Sequence, residues 1–284
     1  MAVRDLTVGV KAYERLGFRV PQVMEHIELG TSNTAMQFHG TYLELLGDVE
    51  HGRVPETIRT MRRRLEIGDG LFQTCFTSAN LEADRSVVEA RGTRLSPIVS
   101  ARRRVRLPSG GWGETDSRSM YDWNQARPLM STFLSDHRRP DMIWIREYQL
   151  HPNTVERVTG LTYIAASPQA DEVSFANMLG YGPTTSSGDR VIFQTPRGEV
   201  LEILSPARCQ DKYGHTAPAW IPSAGGYAVG LTFAVSDLDR CRWALRDGGV
   251  PFFEERGTSL SAPQGHACGV VLEFRQDRGP RSDT

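Results

Sequence analysis

The sequence has no CxxC pair; its four cysteines, Cys75, Cys209, Cys241 and Cys268, are scattered along the chain. Nor does it open with a charged segment followed by an apolar one, so the expectation is a cytoplasmic protein with reduced thiols. It lacks a charge excess: 33 Lys and Arg stand against 34 Asp and Glu, for a net charge of −1. That balance removes any overall electrostatic reason to expect nucleic acid or an anionic membrane as partner. The two arginine clusters, Arg62 to Arg64 and Arg102 to Arg106, accordingly read as solvated faces. No uninterrupted apolar run approaches the roughly 20 residues that a membrane span requires.

What is present is a chain of 284 residues, 39% of them hydrophobic, enough for a sizeable core and two compact domains. It also repeats itself. MAVRDLTVGVKAYERLGF at the start and AVSDLDRCRWALRDGGV from residue 234 share Ala2/Ala234, Val3/Val235, Asp5/Asp237, Leu6/Leu238, Ala12/Ala244 and Gly17/Gly249 in register. Two further copies follow GLFQTCF, with Leu81 and Gly92, and GLTYI, with Leu179 and Gly180. Each reads as a strand, a helix stopped at glycine, and then β-rich runs separated by turn residues. Asp5, Asn80 and Asp237 fall where short polar side chains cap helices.

The repeating unit is therefore βαβββ, and the fold class α+β. Three copies close on Leu43-Glu44-Leu45, Leu201-Glu202-Ile203 and Leu272-Glu273-Phe274. Alternation puts each glutamate on the face opposite its apolar neighbours. The second copy ends in STFLSDH, with Ser135 or Asp136 near the equivalent place. The expected organisation is an N-terminal half over 1–137, a connection over 138–156, a C-terminal half over 157–275 and a disordered tail over 276–284. PETIRTMRRRLEIG reads as a helix linking the first two units, and His151 as an organiser of the connection.

Paired units with openings like AVRDL and AVSDL and closings like YLELLG and VLEIL resemble the vicinal oxygen chelate superfamily, or glyoxalase-like fold. HIELGTSNTAMQFHGTYLELLG is similar to its glyoxalase-like-domain pattern, a histidine before GTxN and a Tyr-Leu-Glu strand. The resemblance implies tandem modules forming two cup-shaped halves. Each cup would hold a divalent metal through a His or Gln on a first strand and a Glu on a last strand, leaving positions open for a substrate's adjacent oxygens. The same fold also serves metal-free binding proteins, so fold does not decide function.

Carried onto this sequence, the resemblance makes His26, Glu44 and Gln73 a candidate set for Fe, Mn, Zn or Ni. Glu44 would be ligand and catalytic group, and Gln73 ligand or hydrogen-bond donor to substrate. Asn33, Trp123 and His137 are candidate substrate contacts. The bland alternative makes His26 a loop histidine, Asn33 a turn former and Gln73 an ordinary strand residue. In the second cup the first-strand places fall on Tyr163 and Gly230, beside Glu202 and Glu273; glycine has nothing to coordinate with, so this cup is the weaker alternative. In the first unit that place falls before Met1, so a missing first strand and an unpaired sheet edge, covered by a homodimer contact or another segment, are expected.

Two readings stay open. One is a metal-dependent enzyme, lyase, isomerase or ring-cleaving dioxygenase-like, acting on a small carbonyl, hydroxy or catechol-type molecule. The other is a metal-free protein that binds or sequesters a small molecule.

Overall fold

The computed structural model describes residues 1–47, 50–122, 127–255 and 257–277. The first unit comprises α1 (Leu6–Arg15), β1 (Met24–Glu25), β2 (Ser32–Phe38) and β3 (Thr41–Gly47), followed by the linking helix α2 (Pro55–Ile67). The second comprises β4 (Gln73–Thr77), α3 (Leu81–Ala90), β5 (Val99–Arg106), β6 (Trp112–Tyr121) and β7 (Ser131–His137), with the short α4 (Pro140–Ile143) in the connection. Then come β8 (Val155–Ile164), α5 (Pro168–Leu179), β9 (Thr185–Ser187), β10 (Arg190–Gln194), β11 (Val200–Leu204) and α6 (Pro206–Tyr213). The last unit is β12 (Tyr227–Val235), α7 (Leu238–Asp247), β13 (Phe253–Glu255), β14 (Ser259–Ala262) and β15 (Val271–Gln276). Gln276 still closes β15 and Asp277 pairs with Arg157, while residues 278–284 of the expected tail lie outside the described residues. Among the described residues no helix is long and apolar enough to cross a membrane.

Helix starts follow the sequence. Asp5 accepts from the backbone N–H of Thr7 and Val8, Asn80 from Ala83 and Asp237 from Arg240. Each cap satisfies donors that the helix itself leaves free. Asp5→Ala, Asn80→Ala and Asp237→Ala should each lower unfolding free energy by about 1 kcal/mol. Urea titration reads this directly; unchanged midpoints would mean that packing alone fixes these helix starts.

Strand order repeats one pattern. The C-terminal strands form a single sheet, β13-β14-β15-β12-β8-β11-β10-β9, in which β8 runs parallel to β11, β12 parallel to β15, and β8 antiparallel to β12. The second unit gives β4-β7-β6-β5, again with its first and last strands parallel. The first unit gives only β1-β2-β3. Where its first strand would lie, Ala2 alone bridges Leu46 in parallel and Gly70 in antiparallel sense. The facing edges of β3 and β4 thus flank a slot one strand wide, about 10 Å by the usual interstrand spacing. At the opposite side His26 bridges Arg103, and the Ile27 N–H donates to the Arg102 carbonyl at 2.8 Å. The N-terminal strands therefore curl almost shut.

The main core runs between the outer face of this cup and one face of the C-terminal sheet. Met36, Phe38, Leu43 and Leu45 share it with Phe193, Phe233 and Phe274. Phe18, just after α1, sits 5.4 Å from Phe233 and 6.0 Å from Phe38, ring to ring. Because Leu43 and Leu45 face this core, Glu44 between them faces into the cup.

Candidate functional site

A cavity of about 860 Å³ occupies the cup and extends into the slot. Consecutive residues Thr41 to Glu44 and Leu71 to Thr77 line it, and since neighbours on a strand point to opposite faces, the cavity reaches both sides of the β3 and β4 edges. Tyr42 spans the gap on the cup side, its hydroxyl 3.9 Å from Cys75 Sγ.

His26 and Glu44 come together, with Nε2 and Oε1 3.6 Å apart. Asn33 stands between them: its amide N–H donates to His26 Nε2 at 2.9 Å and, in a shorter contact, to Glu44 Oε1. On the ring's other side Nδ1 lies 3.1 Å from Thr31 Oγ1. With Nε2 accepting, Nδ1 carries the proton. Burial keeps His26 below its ordinary pKa, opposed by Glu44 and assisted by Arg103. The GTxN residues thus hold His26 in a relay to Glu44, so Asn33 acts on the site through these two side chains.

His137 lies at the end of β7, its Nδ1 2.9 Å from Ser117 Oγ, between the rings of Tyr42 and Trp144. The residue lines the cavity, and among the described residues its buried Nε2 has no partner; burial pushes its pKa down. Gln73 also lines the cavity. Trp123 lies outside the described residues.

Sequence reasoning missed Arg103. Its cluster was expected to be solvated, but Arg103 is only 5% exposed and Arg64 only 4%. In VSARRRVR, Ala101, Arg103 and Val105 share the inward face while Arg102 and Arg104 face solvent, so alternation within the run was the available signal.

The hydrogen-bond register corrects four further expectations, those for Tyr163, Gly230, Gln73 and the end of β7. Glu202 pairs with Thr162 and Glu273 with Thr232, each joined by a side-chain hydrogen bond, so these threonines, not Tyr163 and Gly230, occupy the first-strand places. Tyr163 turns to the other face, against Phe175 and Thr74. The same offset before the cap Asn80 selects Cys75, which pairs with Phe133. Phe133, rather than Ser135 or Asp136, therefore stands where Glu44 does in the first unit. Ser135 bonds Ser119, and Asp136 pairs with Arg118.

The second cup is partly filled by side chains that engage its carboxylates, beside a cavity of about 540 Å³ lined by Glu202, Lys212, Thr232 and Arg275. Lys212 bonds Glu202 and Thr162, Tyr213 donates to Thr162 at 2.9 Å, and Arg275 pairs with Glu273 at 2.6 Å. Both carboxylates are thus already neutralised by cations. Gly230 has its own reason: a Cβ there would lie 2.0 Å from the Tyr213 hydroxyl.

The glyoxalase-like domain family profile matches residues 1–178. The chain belongs to this family. Its relatives by structure include 4-hydroxymandelate synthase from Streptomyces coelicolor, as a triple mutant, at 13% identity and a TM-score of 0.62 over 99% of this chain and 91% of that one. A hypothetical protein from Staphylococcus aureus is similar at 9% identity and a TM-score of 0.60, covering 91% and 90% of the two chains. A xylose isomerase-like TIM barrel/4-hydroxyphenylpyruvate dioxygenase fusion protein matches at 10% identity and a TM-score of 0.58, over 99% of this chain and 48% of its own length. No curated protein sequence matches. These likenesses establish the vicinal oxygen chelate fold of this glyoxalase-like chain; its site must speak for its chemistry.

Members of the superfamily commonly use divalent metals, and the donor set here fits such an ion poorly. The His26 lone pair at Nε2 is taken up by Asn33, Phe133 replaces a second carboxylate, and the guanidinium of Arg103 acts electrostatically on His26 and Glu44. Among the described residues no group of three or more His, Cys, Asp or Glu side chains converges as a ligand set.

Proposed function

We propose that this glyoxalase-like protein binds a small, oxygen-bearing molecule in the cup between β1–β3 and β4–β7, without a resident divalent ion. The observation that carries the reading is the polar lining of the cup's cavity. Among the described residues His137 Nε2 is buried without a partner, and His137 and Gln73 both line the cavity. Buried polar atoms are ordinarily hydrogen-bonded, and leaving one unpaired costs roughly 1–3 kcal/mol, which a bound ligand's oxygens would recover. Tyr121 and Phe133, stacked 5.1 Å apart on the cup wall, supply an apolar surface for the rest of the molecule.

The competing reading is an enzyme in which Fe, Mn, Zn or Ni at His26, Glu44 and Gln73 polarises adjacent substrate oxygens. The 3.6 Å approach of His26 to Glu44 favours it. Elemental analysis of protein purified without chelator separates the two. Substoichiometric metal, with thermal stabilisation by small oxygenated molecules that weakens about tenfold in His137→Ala, supports binding in the metal-free cup. One equivalent of metal that is lost in both His26→Ala and Glu44→Ala would replace this proposal with the enzyme reading.

A further inference from the structure

Taking ligand binding in the N-terminal cup as the starting point, we infer that the ligand carries a carboxylate and that Arg103 receives it. A guanidinium stays protonated at any pH a protein experiences, and burying it without a counter-charge is costly. Arg103 is 5% exposed, lies on the inner face of β5 and lines the cavity. Its backbone N–H is engaged by Thr115 at 3.1 Å, yet among the described residues its guanidinium forms neither an ion pair nor a hydrogen bond. Glu44 acts on it electrostatically but is not paired with it.

The other fully buried arginine, Arg64, and the half-buried Arg118 are provided for. Arg64 donates to the Asp69 carbonyl at 2.6 Å and lies over the Tyr227 ring, and Arg118 is held by Glu82 and Asp136. Arg103 thus stands out as a planar, two-pronged donor facing a cavity large enough for a small molecule. A carboxylate is the ligand group whose geometry matches that fork.

The charge of the cup favours a monoanion over a phosphate. One fixed positive charge faces the carboxylate of Glu44, and both cup histidines are held toward their neutral forms by burial. A single carboxylate can pair with that one cation, whereas the second charge of a dianion would find no counter-charge in the cup. The unpartnered His137 Nε2 is then left for a second polar group on the same molecule.

The test uses the whole chain with acetate, benzoate and 4-hydroxybenzoate as probes, benzamide and catechol as neutral counterparts, and inorganic phosphate as the alternative anion. Calorimetric titration and melting temperature are read for the natural chain, Arg103→Met and Arg103→Lys. Saturable binding of at least one carboxylate is expected, weaker by roughly 30-fold or more in Arg103→Met and partly kept in Arg103→Lys. The unliganded Arg103→Met chain should melt no lower than the natural one, because the substitution removes a buried unpaired charge. Binding of benzamide or catechol with no carboxylate bound would overturn the inference and leave the binding function standing. So would carboxylate binding that Arg103→Met does not weaken, or tighter binding of phosphate. No binding of any probe would overturn both. Failure of Arg103→Met to fold while Arg103→Lys folds and binds normally would show Arg103 to be a structural cation and also overturn the inference.

Discussion

Acidification from pH 6.5 to about 4 is expected to remove about 3 kcal/mol of stability through His151 alone. His151 is 7% exposed and stands between the rings of Phe18 and Phe38. Its Nδ1 accepts the Arg19 backbone N–H at 3.0 Å, so its Nε2 carries the proton and donates to the Gln37 carbonyl at 2.8 Å. A second ring proton would point at the Arg19 N–H, a donor facing a donor. Burial accordingly holds the pKa down from 6.5 to about 4, with the Gln37 bond opposing and Arg19 and His39 adding to the shift.

The sign follows from proton counting. Below pH 6.5 the unfolded chain takes up a proton that the native ring refuses until about pH 4, so the contribution is complete above 6.5 and is lost as pH falls toward 4. His26 and His137, also depressed by burial, act in the same direction. Chemical denaturation at closely spaced pH values should show this fall. His151→Gln should be less stable at pH 7 but should have a shallower slope below 6.5. An equal slope in the variant would mean that the acid sensitivity resides elsewhere.

The other large effect is expected at the meeting of α1 and α7. Gly248 follows α7, and a Cβ built there lies 1.8 Å from the carbonyl oxygen of Arg15, the last residue of α1. The obstacle is backbone, so no side-chain rotation relieves it, and the two helix ends must part. That movement would break the bonds from Arg15 to the carbonyls of Gly248 and Gly249 and disturb Asn153, which donates to the Leu16 carbonyl. Gly248→Ala should cost about 3 kcal/mol and lower the melting temperature by roughly 6–10 °C. Gly182→Ala, where an added Cβ meets nothing within 4 Å, is the control and should change little. A Gly248→Ala chain as stable as this control would mean that the α1–α7 contact is not what sets stability.

Much was legible in the sequence because it depends on local chemistry. The caps at Asp5, Asn80 and Asp237 need only a short polar side chain before a helix, and the helix stops only a residue tolerant of the left-handed region, as at Gly17 and Gly180. The inward direction of Glu44 follows from Leu43 and Leu45 beside it, since alternation on a strand is fixed by covalent geometry. The GTxN phrase located His26, Asn33 and Glu44 well enough for the structure to find them in contact.

What tertiary structure alone decided is the level at which residues of different strands meet. Alternation assigns a face but not a height, and height is set by hydrogen-bond register; hence Thr162, Thr232, Cys75 and Phe133 stand where Tyr163, Gly230, Gln73 and a polar end to β7 had been expected. Long-range packing likewise sent α6 into the second cup, where Lys212 and Tyr213 occupy the space beside Glu202 and Gly230. Arg103 is buried because β5 closes against β1, a contact between segments far apart in the chain. A sequence records the charge of such an arginine, but whether that charge faces water or a ligand cavity depends on which strands come together.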